Sequence, residues 1–325
     1  MRASPSSFAI ASFSALLACA RGTGDARRTD GAAIERTTSA EAAPEVHASA
    51  EAAPAPDPYL TGHAVRAKSV GHTSYALKLT LDDGSVALFK PRSKLPLGDR
   101  RYRGEIAAYR LAVALGLDNV RRALPRTFDA SELRAVAEGF DDKGLVDPDG
   151  RVRGALMPWL ETYRVLPLEQ PAWRARWEPW VLDPLGPVPQ DERVRAAAIS
   201  TMLAFDYLTA NWDRWSGGNV AEDGATGKVL FVDNDGAFYD PPEAAALARQ
   251  LAVVRRIARF SRRFVAALRA LDGPRLSSAI GDEAPGTPLL PRRVLDGVDA
   301  RRRIVLGVVD GRIGDAGDAA TLAFE

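Results

Sequence analysis

The chain has 325 residues, and its 43 Lys and Arg residues nearly balance its 42 Asp and Glu residues, giving a formal net charge of +1. This balance provides no general attraction to polyanions, so nucleic acid is not an expected partner. The composition is uneven along the chain, which favours one folded unit plus an unstructured stretch. The histidines His47, His63 and His72 are not accompanied by a pair of cysteines, which excludes zinc-type ligand spacing.

The first twenty residues have the layout of a secretory signal. Arg2 precedes an apolar run that is too short to span a bilayer stably and that ends in small residues. Leu16-Leu17-Ala18-Cys19 resembles the bacterial lipobox, in which the Cys becomes the lipidated first residue of the mature protein. We therefore expect residues 1–20 to be a lipoprotein signal peptide. Lipidated Cys19 would then anchor an exported bacterial protein in a membrane, at the outer membrane or cell surface. Plain cleavage after Ala20 and an incidental apolar start are the alternatives.

The next segment, residues 21–58, consists mainly of Ala, Glu, Pro, Thr and Arg, with almost no large apolar side chains. It cannot bury enough surface to offset its ordering entropy, so it is predicted to be a disordered linker.

Alternating apolar residues then predict a β-hairpin. In the first strand, more polar neighbours alternate with Tyr75, Leu77, Leu79 and Leu81. Asp82-Asp83-Gly84 then has residues typical of a turn, and Val86, Leu88 and Lys90 share one face of the second strand. The hairpin therefore ends in a lysine.

A helix, a strand and a proline-rich stretch are expected next. Residues 101–117 have helical spacing, with Glu105 in the first or second turn, Ile106, Tyr109, Val113 and Leu117 on one stripe, and Gly116 near the end. Residues 152–160 read as a strand leading out of the first lobe. Residues 167–189 are rich in proline and are predicted to be a hinge followed by an irregular connector.

The remaining pattern is mainly helical. Residues 191–210 read as a long helix with Val194, Ala198, Met202, Phe205 and Leu208 facing inward, and the polar cluster of residues 211–219 follows it directly. Residues 229–232 form a short buried-strand pattern that ends in Asp233-Asn234-Asp235-Gly236, and residues 242–271 predict two helices.

These segments contain the groups that phosphoryl transfer requires: a cation for the phosphates, a carboxylate to orient it, a base for the incoming hydroxyl and oxygen ligands for a metal. The motifs are Ala-Leu-Phe-Lys-Pro at residues 87–91, Glu-Ile-Ala-Ala-Tyr at 105–109, Phe-Asp-Tyr-Leu at 205–208, Asn-Trp-Asp-Arg at 211–214 and Val-Asp-Asn at 232–234. Together they resemble the secretory-pathway atypical kinases of the Golgi casein kinase type, distant relatives of HipA-like and phosphatidylinositol kinases. The resemblance covers most of residues 70–240.

The resemblance implies an α+β, two-lobed, protein-kinase-like fold, with a small β-rich N-lobe over residues 59–165 and a mainly helical C-lobe over residues 166–325. It also implies roles for four residues. Lys90 matches the phosphate-binding lysine, Glu105 its helix partner, Asp213 the catalytic aspartate and Asp233 the metal-binding aspartate.

Further candidates lie around these four residues. Asp235 is two residues from Asp233 and would face the same cation if the strand continued. Asn219 is the candidate loop ligand. The segment Gly71-His72-Thr73-Ser74 before the first hairpin strand, with its backbone NH groups and hydroxyls, is a candidate phosphate cover, and Met157 on the exit strand is a candidate nucleotide contact.

The sequence departs from the family pattern at three positions. Trp215 stands where relatives often carry His, Asn219 falls one position later than the usual loop asparagine, and Asp235 replaces the usual glycine. The first expectation is an exported kinase that uses ATP with Mg²⁺ or Mn²⁺ and phosphorylates an unknown hydroxyl acceptor, which is a protein Ser/Thr, a sugar or a lipid. The departures leave a membrane-anchored pseudokinase, acting as a nucleotide- or partner-binding module, as the alternative. A Ser-His-Asp or Cys-His hydrolase is excluded because no nucleophile elbow is present.

Overall fold

The computed structural model describes residues 57–71 and 74–325. The predicted leader, the lipidation residue Cys19 and the predicted linker up to residue 56 lie outside the described residues, as do His72 and Thr73. Within the described part, a sheet-rich half precedes a mainly helical half, which confirms the predicted two-lobed α+β fold.

The N-terminal half is built on one antiparallel sheet of five strands in the order β1-β2-β3-β5-β4. Its elements are α1 (Pro58–Thr61), β1 (Ala64–Ser69), β2 (Leu77–Leu81), β3 (Val86–Pro91), α2 (Arg101–Ala114), β4 (Leu124–Asp129), α3 (Ala130–Val136), α4 (Phe140–Lys143) and β5 (Arg151–Pro158).

The predicted hairpin is confirmed as β2 and β3, with Leu77 paired with Phe89. Alternate residues of β2 are buried, as expected of a strand with one face on the core. In the turn, the Asp83 carboxylate accepts hydrogen bonds from the backbone NH and hydroxyl of Ser85, and Gly84 has φ +87°. This turn fixes the register and therefore the face on which Lys90 lies.

Helix α2 is attached to the C-terminal half through its first and third turns. The hydroxyl of Tyr102 and the Nε atom of Arg103 both donate to the carboxylate of Glu283, and the second bond is 3.0 Å long. Arg110 donates to the backbone carbonyls of Ile280 and Asp282. The helix that carries Glu105 is therefore held in place at its first and third turns.

The C-terminal half contains a three-stranded sheet in the order β6-β7-β8 and a set of packed helices. Its elements are β6 (Tyr163–Val165), α5 (Pro171–Leu182), α6 (Arg193–Thr209), β7 (Val220–Asp223), β8 (Val229–Phe231), α7 (Ala244–Val254), α8 (Arg262–Ala270), α9 (Gly273–Ile280), β9 (Asp282–Ala284), β10 (Thr287–Pro288), α10 (Arg292–Ala316) and α11 (Asp318–Thr321). Single 3₁₀ turns cover Gln190–Glu192 and Arg214–Ser216.

The predicted irregular connector is wrong over its central part, where the chain forms helix α5. Pro171 occupies the first turn, where its missing NH costs nothing. Trp177, Trp180 and Val181 are buried at helical spacing, so their burial stabilises a helix that also accommodates Pro179.

Two predicted inward-facing residues lie on the surface. Val113 on α2 is 57% exposed and Val194 on α6 is 80% exposed. In α2, Ala108, Leu111 and Ala112 take the buried positions instead. None of the helices in the described residues is long and apolar enough to cross a membrane.

Candidate active site

Lys90 lies at the end of β3, where its ammonium group contacts three carboxylates. Its Nζ atom is 2.6 Å from Oε1 of Glu105, 2.6 Å from Oδ1 of Asp233 and 3.2 Å from Oδ2 of Asp235. Glu105 comes from the N-terminal half, and the two aspartates follow β8 in the C-terminal half. One ammonium group therefore joins the two halves of the fold.

The charges in this cluster do not balance. Burial disfavours the ammonium form of Lys90, but the carboxylates of Asp233, Glu105 and Asp235 outweigh that effect and raise its pKa well above the usual value. Lys90 thus stays protonated. Arg101 also donates to Oδ1 of Asp235, at 3.2 Å, so three carboxylates face two cationic side chains. The remaining negative charge is one that a divalent cation can neutralise.

The two aspartates converge for a different reason from the one predicted. The strand does not continue past Phe231, so strand alternation does not apply. Instead, Asp233 adopts the left-handed conformation with φ +56°, which few residues other than Gly, Asn and Asp tolerate. Asp235 is almost fully buried, and burial raises its pKa to about 6, with Asp233 and Glu105 adding to the shift and Lys90 opposing it.

Glu105, Asp233 and Asp235 each offer a carboxylate oxygen, and these atoms lie within 4.8 Å of one another. Carboxylate oxygens are the ligands that Mg²⁺ and Mn²⁺ prefer. Asp233 has a side chain that is 38% exposed, so the cluster is open to the cleft on one side. The residues therefore fit a divalent cation that carries ligands of its own.

Arg214 connects the elements around this cluster. Its Nε atom donates to both carboxylate oxygens of Asp206 on α6, at 3.1 and 3.0 Å. Its Nη1 atom donates to the carbonyls of Asn219, at 2.5 Å, and Val232, and its Nη2 atom donates to Oδ1 of Asn234 at 2.6 Å. The guanidinium is almost completely buried, so this residue fixes the loop after α6 against the segment after β8.

Asp213 precedes this arginine and is half-buried. Burial raises the pKa of its carboxyl group, and the nearby Asp233 carboxylate adds to the effect. Its backbone carbonyl accepts hydrogen bonds from Nδ2 of Asn219 at 2.8 Å and from the hydroxyl of Ser216. The backbone that carries Asp213 is therefore fixed, and its raised pKa suits a group that accepts a proton.

The amide group of Asn219 is oriented by the same contacts. Its Nδ2 atom donates to the Asp213 carbonyl and to Oγ of Ser216, and its Oδ1 atom accepts no hydrogen bond from the described residues. This oxygen is therefore available as a metal ligand, the role that the sequence predicts for Asn219.

A cavity of about 270 Å³ opens beside Lys90 between the two halves. Leu88 and Met157 are directly paired across β3 and β5, so their side chains share the face that lines this cavity. Val70 and Ala76 also line it, and Gly71 and Ser74 are close to these two residues in the chain. The structure thus brings Met157 to the cleft and places the described part of the predicted phosphate cover at its edge.

Sequence reasoning missed several residues of the site. Arg121, Trp159 and Tyr163 line the same cavity, and no motif singled them out. Asp206 was quoted only as part of a motif. The signal that identifies it is an aspartate within the apolar run of α6, because a buried carboxylate requires a partner.

Gly236 lies in close contact with the loop of residues 211–213. A Cβ atom at this position would lie 2.8 Å from Cβ of Asp213 and 3.0 Å from Oδ1 of Asn211.

We expect Gly236→Ala to lower the free energy of unfolding by about 1–3 kcal/mol, because overpacking forces the backbone to shift. Gly307→Ala is the matched control, since a Cβ there meets nothing within 4 Å in the exposed middle of α10. The free energy of unfolding of this control, measured in urea, should rise by about 0.5–1 kcal/mol. Equal gains at both positions would contradict the close approach.

Comparisons with known proteins agree with this architecture. The structure matches the Golgi casein kinase with a TM-score of 0.61 and 14% identity, covering 82% of this chain and 78% of that chain. It matches the same kinase with Mn/ADP bound with a TM-score of 0.60 and 14% identity, covering 82% and 77%. It matches hydra Fam20 with sugar with a TM-score of 0.57 and 18% identity, covering 80% and 88%. No family model and no curated protein matches the sequence.

The chain therefore has the two-lobed atypical kinase fold. More particularly, it has the fold of the Golgi casein kinase and hydra Fam20, which confirms the predicted resemblance at the level of structure.

Proposed function

We propose that this chain is an atypical kinase that transfers the γ-phosphoryl group of ATP to a hydroxyl acceptor. The observation that carries the proposal is the buried Lys90–Glu105 pair, which meets two aspartates of the opposite half beside a cavity. A lysine held by a helix carboxylate next to metal-ligating carboxylates is the arrangement that protein kinases use for phosphoryl transfer. The proposed acceptor class is a protein Ser/Thr, a sugar or a lipid.

The proposed roles follow from the contacts. Lys90 binds phosphate oxygens, and Glu105 holds Lys90 in position. Asp233, Asp235 and Asn219 supply oxygen ligands for Mg²⁺ or Mn²⁺, which when bound neutralises charge on the phosphates. Asp213 orients the acceptor hydroxyl and accepts its proton, for which its raised pKa is suited.

The binding of Mn/ADP by one of the kinases with this fold supports the same cofactors here. We further propose that the protein is exported and lipid-anchored through Cys19, on the basis of the lipobox-like leader. The cofactors and the lipid anchor are separate proposals, because a kinase fold alone does not determine where a protein is located.

Thermal unfolding of the purified full chain tests the metal-nucleotide site. We expect ATP plus Mg²⁺ or Mn²⁺ to raise the unfolding temperature, because a ligand at about 100-fold its Kd stabilises the native state by about 2.7 kcal/mol. Asp233→Ala should abolish this rise. Asp315→Ala, an exposed carboxylate near the end of α10, should retain it.

The outcomes separate two functions. A rise that requires both nucleotide and metal supports the kinase. If neither ATP, nor metal, nor the pair changes the unfolding temperature, the pseudokinase reading replaces it, and the cleft would serve as a partner-binding module.

A further inference from the structure

A second cavity, of about 410 Å³, lies on the C-terminal half between α5, α6 and α7 and is closed by the loop that carries Asp213. None of its lining residues lines the cavity beside Lys90. The volume falls within the roughly 300–1,000 Å³ typical of small-molecule sites. The cavity is therefore a separate site, large enough for a ligand of its own.

Its walls are mainly aromatic and aliphatic. Trp177 and Trp215 stack with ring centroids 6.0 Å apart and an interplanar angle of 23°, and Trp212 contributes a third indole. Aliphatic side chains supply the rest of the apolar lining: Leu182, Leu203, Ala246, Ala252 and Val253. Indole rings offer large and rigid contact areas, so the body of the ligand is flat or branched and apolar.

The charged residues at the rim define the other end of the ligand. Two of them cancel, because Arg174 forms a hydrogen-bonded ion pair with Glu178 at 2.6–2.8 Å. Asp206 is neutralised in the same way by Arg214.

Two arginines and one carboxylate remain. Arg256 forms no ion pair within the described residues, and Arg249 reaches Glu243 only at 3.8 Å, with both side chains exposed. The remaining lining carboxylate is Glu169. The rim therefore has a surplus of positive charge, and guanidinium groups bind carboxylate, phosphate and sulfonate oxygens strongly.

We propose that this tryptophan-lined cavity binds a small amphiphilic anion, with its apolar body against the indoles and its acidic group at Arg249 and Arg256. This inference is independent of the proposed kinase activity. A ligand in the cavity would lie against Asp206, the residue that holds Arg214, and thus next to the contacts that fix the catalytic loop.

Two probes with the same aromatic body test the proposal. The full chain is titrated with 1-anilinonaphthalene-8-sulfonate, which carries an anionic group, and with uncharged N-phenyl-1-naphthylamine. Binding is followed by energy transfer from tryptophan. We expect the sulfonate to bind with at least a tenfold lower Kd than the uncharged probe.

Substitutions then locate the site. Arg249→Glu with Arg256→Glu should raise the Kd of the sulfonate at least tenfold and leave that of the uncharged probe nearly unchanged. Ala252→Trp, at an exposed position in the cavity lining, should weaken both probes. Arg263→Glu, an exposed position outside the cavity, should affect neither.

Other results would overturn the inference. If the Kd of both probes is unchanged in Ala252→Trp, the probes bind elsewhere. If the Kd of both probes rises equally in the double arginine variant, the two arginines do not recognise the anionic group. An unchanged far-ultraviolet circular dichroism spectrum and urea midpoint for each variant show that the protein remains folded.

Discussion

Arg214→Met is expected to lower the free energy of unfolding by about 3–5 kcal/mol, because it leaves the buried Asp206 carboxylate without a partner. The two side chains are 1% exposed each. The substitution also removes the donors to Asn219, Val232 and Asn234, so the loop that carries Asp213 loses its attachment to the segment after β8. Denaturant unfolding measures the loss.

Arg263→Met is the matched control for this variant. Arg263 is exposed at the start of α8, so the same substitution there should change the free energy by no more than about 0.5 kcal/mol. Similar losses of stability at both positions would show that the contacts of Arg214 do not stabilise the fold.

The loss at Arg214 should also depend on pH in a defined direction. In the native protein, burial raises the pKa of Asp206 to about 6, against the opposing effect of Arg214. Without the arginine this pKa rises further. Between pH 6 and the new pKa, the folded variant binds a proton that the unfolded chain does not, so its stability falls as pH rises. The stability difference between native protein and variant is therefore expected to grow from pH 6 to pH 8 and would stay constant if Asp206 were not the cause.

Asp213→Asn is expected to lower turnover by roughly a hundredfold to ten-thousandfold, the range of a positioned acid or base. The substitution keeps the shape of the side chain but removes the group proposed to accept the proton. The backbone of residue 213 should stay in place, since it is held through its carbonyl by Asn219 and Ser216. ADP release from ATP measures turnover for any acceptor.

The same variant separates chemistry from binding. Asp213→Asn should retain the rise in unfolding temperature with ATP and metal, and Asp315→Asn should retain both binding and turnover. Unchanged ADP release in Asp213→Asn would remove the assignment of this residue. Loss of both binding and turnover would indicate that it supports the cleft instead.

Local patterns predicted much of this fold. The hairpin that ends in Lys90 follows from strand alternation and the Asp83-Gly84 turn, and the helix around Glu105 follows from its spacing and from Gly116, which has φ +65°. The family resemblance predicted roles for four residues of one site. In the structure, the Lys90 ammonium group donates hydrogen bonds to both Glu105 and Asp233.

The contacts that sequence patterns did not predict depend on distant packing. Asp235 faces Lys90 because Asp233 leaves the strand conformation, which periodicity cannot show. Arg214 binds Asp206 across the loop after α6, and the same guanidinium binds the segment after β8. Helix α5 was missed because its prolines suggest a connector, while its buried tryptophans become apparent only against α6.

The attachment of α2 to Glu283 has a consequence for ligand affinity. Where only a fraction of molecules hold such a helix in the binding position, the apparent Kd equals the intrinsic Kd divided by that fraction, so the affinity is lower. Here Tyr102, Arg103 and Arg110 hold the helix through contacts made during folding. The entropy of placing Glu105 is therefore lost when the chain folds, so a nucleotide that bound in the cleft would not have to order this helix.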